Sequence, residues 1–236
     1  MSLHLVTGFL AVLTIIMTPR FNSDPPKLGS EADPIRQGLF ACQPMDVLLQ
    51  RLKLDGSPGP FQTFADAVEL AKTGKKEDAK SRLQSILGVP NLETRIQLWV
   101  WSALRELGEQ PDAKFSKEVL GVVIEVPMGG AYDTLTGYRD GSARYLNFSG
   151  KAIFWDKPDD SIKLLCERLI ASTIPEGSRG VLRKDSVLPK SGTQATLLTR
   201  SGMYVIAEPS QNVMTAGSAL MLELMKRAKE ADAHKP

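Results

Sequence analysis

At Val119 the hydrophobic period of the chain changes, and this change limits the fold more than any other feature. Before it, apolar residues recur every three to four positions, the spacing of helices with one buried face. From Val119 to Val126 they form a run rich in β-branched residues, the composition of a buried strand. Such a chain is expected to fold as α+β, with an N-terminal α-helical hairpin layer and a C-terminal, mainly antiparallel sheet of about six strands flanked by two helices.

The sheet half reads as a meander. Pro127-Met128-Gly129-Gly130 turns the chain. Ala131 to Tyr138 alternates, with Tyr132, Thr134, Thr136 and Tyr138 on one face and Ala131, Asp133, Leu135 and Gly137 on the other. Asp140-Gly141 predicts a two-residue type I′ hairpin. Ala143 to Phe148 is the third strand, Ser149-Gly150 the next turn, and Lys151 to Trp155 the fourth strand. Asp159 or Asp160 caps a helix bearing Ile162, Leu165, Leu169 and Ile170. Residues 174–192 read as a long loop. Thr193 to Thr199 and Met203 to Ala207 form a further hairpin around Ser201-Gly202. A final helix, about Gln211 to Ala231, buries Val213, Ala216, Leu220 and Leu224. Both helices are expected on one face of the sheet.

In the helical half, Asp33-Pro34 opens a helix that breaks near Pro44 and ends around Asp55-Gly56. A second spans Phe61 to Thr73 and stops at Gly74. A third runs from about Glu77 to Leu87 and stops at Gly88-Val89-Pro90. Asn91 is read as the cap of a fourth, carrying Trp99, Trp101, Leu104 and Leu107. The stretch FADAVELAKTGKKEDAKSRLQSILGVP resembles one tetratricopeptide-type repeat through Ala67, Gly74, Ala79, Leu83 and Pro90, with LWVWSALRELGEQP as the start of a second, covering 64–111. Stable solenoids of this kind stack at least three repeats. These helices are therefore read as a packing layer or a small helical domain, and no peptide groove is assigned to them.

Four regions follow: an apolar N-terminal segment at 1–19, a linker at 20–33, a helical region at 34–118, and a sheet with helices at 119–232. Residues 1–19 carry no Lys, Arg, Asp or Glu, and the strongly apolar part, Phe9 to Met17, is short for a span of about 20 residues. Three readings stay open: a membrane tether through residues 3–17, a terminal segment docked on the fold, or initiation at Met17. With Arg20 and Lys27 after the apolar stretch, a tether would leave the body in the cytoplasm.

Chemistry is narrowed by what is scarce. Only two histidines occur, His4 and His234, at opposite ends of the chain. This argues against a Ser-His-Asp or Cys-His arrangement and against a His/Cys zinc site, so no metal and no cofactor are expected. Cys42 and Cys166 sit in apolar surroundings and read as buried inert thiols. Ser149-Gly150-Lys151 lacks the upstream glycine of a phosphate loop. With a net charge of +2 and dispersed basic residues, no nucleic-acid partner is expected. What remains is the meander. Asp133 reads either as an inward carboxylate or as a solvated one, and Arg144, Tyr145 and Asn147 could line an edge with it. Arg144 and Asp133 also suit a plain cross-strand ion pair.

The meander, with D-T-L-x-x-Y-x-D-G-x-A-R-Y-x-N-x-S-G-K at Asp133 to Lys151, resembles a family of uncharacterised bacterial proteins, a resemblance that implies no activity. The element order is also similar to that of profilin-like and roadblock-like adaptor domains, which carries no function by itself. The functional expectation is a non-catalytic protein-interaction or adaptor protein with a protein partner. The alternative is a small-ligand binder, or a carboxylate- or lysine-based enzyme, with its pocket at the 131–151 meander.

Overall fold

The structure is a computed structural model that describes residues 34–48, 60–128, 131–156, 159–184 and 192–233. The apolar segment at 1–19 and the linker at 20–33 lie outside the described residues, as do both histidines. In chain order the elements are α1 (Pro34–Leu39), α2 (Pro60–Lys72), α3 (Lys76–Leu87), α4 (Thr94–Glu106), β1 (Val119–Met128), β2 (Ala131–Tyr138), β3 (Ala143–Leu146), β4 (Ala152–Trp155), α5 (Asp160–Thr173), a 3-10 helix (Ile174–Arg179), β5 (Val181–Arg183), β6 (Gln194–Thr199), β7 (Gly202–Ala207) and α6 (Gln211–Ala233). The expected α+β arrangement is present. Its sheet has seven strands in the order β4-β3-β2-β1-β6-β7-β5, with every neighbouring pair antiparallel. The added strand, β5, lies inside the stretch expected to be loop.

The hairpin geometry differs from the two-residue turn predicted. Gly141 N–H donates to Tyr138 O at 3.0 Å, and Tyr138 N–H donates to Ser142 O at 2.9 Å. Gly141 alone of the loop has positive φ, +86°. This is a three-residue loop, a turn closed by a left-handed glycine. The β3–β4 hairpin repeats it: Gly150 N–H donates to Asn147 O, Asn147 N–H to Lys151 O, and Gly150 has φ +86°.

Both faces of the sheet are covered, where one had been expected. On one face α5 and α6 bury Ile162, Cys166, Leu169, Val213, Leu220 and Leu224 against Val122, Ile124, Leu135, Ala143, Tyr145, Ala195, Leu197 and Ile206. Gly137 explains how closely these helices approach. A Cβ there would lie 3.0 Å from a Leu220 methyl and 3.3 Å from Cys166 Sγ. On the other face Phe40, Ala41, Leu98 and partly buried Trp99 pack on Leu120, Val123, Tyr138, Leu198 and Met203.

The helical region has its own core of Phe64, Ala67, Val68, Leu83, Ile86, Val100 and Leu104. α2 and α3 pack as the predicted hairpin, separated by Gly74 at φ +82°. The helix read as the start of a second repeat, α4, packs on α3 through Ile96, Val100 and Leu104 and also docks on the sheet through Leu98, and Trp99 belongs to both cores. Asn91 is not its cap: it has φ +54° two residues before the helix boundary at Glu93. The N-terminal backbone donor of α4 at Thr94 is bound from afar, by Asp140 of the β2–β3 hairpin, whose Oδ2 accepts from Thr94 N–H at 2.8 Å. No helix among the described residues is long and apolar enough to cross a membrane.

Candidate functional site

Of the four side chains singled out in the meander, the structure brings two together. Asp133 is on β2 and Tyr145 on β3, and both point to the face covered by α6. The Tyr145 hydroxyl donates to Asp133 Oδ2 at 2.9 Å, and the Phe148 N–H donates to Oδ1 at 2.7 Å. Burial, then the hydrogen bond and charge of Asp133, push the Tyr145 phenol up to about 12, so it remains a donor. The two residues border a pocket of about 200 Å³ whose other walls are Ile124, Val126, Leu135, Met214, Gly217, Ser218 and Met221.

Arg144 and Asn147 are elsewhere. Arg144 adjoins Tyr145 on the strand and so faces the opposite side of the sheet. It is almost fully buried, ion-paired with Asp156, and its Nη1 donates to the carbonyls of Ala143 and Trp155 at 2.8 and 3.2 Å. Its guanidinium lies 5.5 Å from the Phe154 ring centroid. Burial, and after it the neighbouring Arg95 charge, push Arg144 down to about 9. Asn147 is used by its own turn: Oδ1 accepts from the Ser149 N–H, the Ser149 hydroxyl and the Lys151 N–H. The pairing of Arg144 with Asp133 expected as one reading is therefore replaced by Arg144–Asp156.

A cavity of about 760 Å³ is one that sequence reasoning missed. It opens beside the start of β1, the end of β6 and α5. Val119, Leu197 and Tyr204 form its apolar floor, Ile170 and Ala171 of α5 one wall, and Ile174 to Gly180 its lip. Three cations line it, Lys117, Arg139 and Lys163, together with Glu118 and Glu167. Glu118 is already neutralised by ion pairs with Arg139 and Arg200. Burial alone would raise its carboxyl, but the two guanidinium groups outweigh that and hold it below the usual glutamate value. Lys117 and Lys163 have no carboxylate partner among the described residues; the Lys117 ammonium sits 5.9 Å from the Tyr204 ring centroid. The lip is anchored by buried Glu176, whose carboxylate accepts from the Ser210 N–H at 3.2 Å just ahead of α6. Near the cleft, Ile174 and Leu182 are 68% and 54% exposed, and Leu182 pairs with Tyr204 across β5 and β7. No sequence signal marks this cleft, because its lining comes from five separate segments.

Glu125 is a further residue that the pattern could have flagged. It is the single charge in the apolar run of β1 and is fully buried. Arg36 of α1 donates to it through Nε at 2.9 Å and is ion-paired through Nη2, and Arg183 of β5 donates from the other side at 2.9 Å. Arg183 also donates to Thr196 Oγ1 at 2.8 Å, and both guanidinium groups stack on Phe40. Glu125 is thus a structural lock rather than a reactive group. No cluster of three or more His, Cys, Asp or Glu able to hold a metal ion occurs among the described residues. The chain matches no protein-family model, no curated protein and no solved structure, so its functional reading rests on this geometry.

Proposed function

We propose that the chain is a non-catalytic protein-interaction or adaptor protein, and that its docking site is the cleft between α5, the 3-10 helix and the sheet. One observation supports this reading above the others: an apolar floor and an exposed apolar lip are combined with two lysines, Lys117 and Lys163, that lack carboxylate partners among the described residues. Lys117 and Lys163 outnumber Glu167, the other charge of the cleft without an ion pair among the described residues, and apolar surface beside this cationic excess suits a partner segment carrying both apolar and acidic residues. Burial of the lip supplies affinity, and the charges supply register and encounter rate.

The test is site-specific photocrosslinking in native extract. A photoreactive side chain at Ile174 is expected to capture a discrete protein, and the Lys117→Glu, Lys163→Glu double variant is expected to lose that adduct. The same group at Leu222, which is exposed on α6, is the control. Equal capture from Leu222, or capture that survives charge reversal, would refute the docking site.

A further inference from the structure

We propose that the Asp133–Tyr145 pocket binds a small protonated amine carried on an apolar body, independently of the docking cleft. Its walls are apolar or thioether, from Ile124, Val126, Leu135, Met214 and Met221, and it has one formal charge, Asp133. That carboxylate is half-buried. Both of its donors, the Tyr145 hydroxyl and the Phe148 N–H, are neutral, and no cation pairs with it among the described residues. A carboxylate has about four lone-pair positions, so two stay open for a further donor.

A half-buried carboxylate with lone-pair positions open beside apolar walls, and no counter-charge among the described residues, is suited by a compact cation with N–H donors. Lining by sulfur and aliphatic carbon favours an alkyl or arylalkyl body. A volume of about 200 Å³ corresponds to roughly seven water volumes, enough for a molecule of roughly six to ten non-hydrogen atoms. Gly217 lets α6 lie close against the sheet at the pocket: a Cβ there would fall 2.6 Å from Ile124 Cδ1.

The experiment is NMR titration of the full chain, labelled at the methionine methyls, with n-hexylamine, n-hexanol and hexanoate at pH 7. Hexylamine is expected to bind at least about tenfold more tightly than hexanol, as a charge-assisted hydrogen bond provides, with shifts at Met214 and Met221. Hexanoate is expected not to bind. Asp133→Asn is expected to abolish the preference for hexylamine and leave hexanol binding unchanged. The proposal is overturned if hexylamine and hexanol bind equally, if none binds, if the shifts fall on other methionines only, or if the folded Asp133→Asn variant keeps the preference. Should that variant not fold, the ligand series on the unaltered chain decides by the same criteria.

Discussion

Single side chains in this protein do work that their local sequence does not announce. Asp140 sits in a hairpin loop, and its Oδ1 accepts from the Ser142 N–H and hydroxyl at 2.9 and 2.7 Å. Its Oδ2 binds the Thr94 N–H, while its own N–H donates to Thr94 Oγ1 at 3.1 Å. It therefore caps α4 from a hairpin distant in sequence. Asp140→Ala is expected to lower stability by about 1–2 kcal/mol in urea denaturation, and Asp140→Asn to recover part of the loss; an unchanged midpoint for the alanine variant would refute the capping role. The Asp-Gly pair was legible as a turn because glycine's left-handed backbone is a local property. The cap was not, because its partner is on another element. The same logic divides the meander residues. Alternation along a strand places Asp133 and Tyr145 on a shared face only once the β2–β3 register, Leu135 opposite Tyr145, is known.

Among the elements, α1 depends most on the rest of the fold. Six residues are far too few for a helix to persist alone. It is held by the Arg36–Glu125 pair, by Phe40 in the sheet-facing core, and by the Tyr138 hydroxyl donating to Leu39 O at 2.6 Å. Glu125→Ala would leave Arg36 and Arg183 buried without the carboxylate between them. The expected cost is about 3–5 kcal/mol, with protease cleavage appearing first within 34–48. A variant of near-native stability with unchanged proteolysis would show that the clamp is dispensable. Long elements were legible in the sequence: β1 and β2 through their apolar run and alternation, α2 and α3 through apolar spacing and Gly74. The edge strand β5 was not. Three residues carry no measurable period, and the strand exists because β7 offers it an edge and Arg183 reaches Glu125.

For the whole molecule, the sheet lies between two helical layers of different origin, one from the N-terminal helices and the other from α5, which follows β4, and α6, which follows β7. The N-terminal helices were legible as a layer, but their seat on the second sheet face was not, because Leu98, Trp99 and Phe40 read simply as apolar positions. The three open readings of the N-terminal segment are separable by experiment. A tether through residues 3–17 would make the full chain sediment with membranes and leave a chain beginning at Pro34 soluble; recovery of both in the soluble fraction would rule the tether out. The position of β1 also bears on synthesis. It is central, paired with β2 on one side and β6 on the other. On the ribosome, β2 follows at once, but β6 emerges only after everything through β5 has been made, a wait of seconds at about 5–20 residues per second. Throughout that interval the longest strand of the sheet has one bare edge, and a translational pause after β1 would prolong its exposure to neighbouring chains and to chaperones.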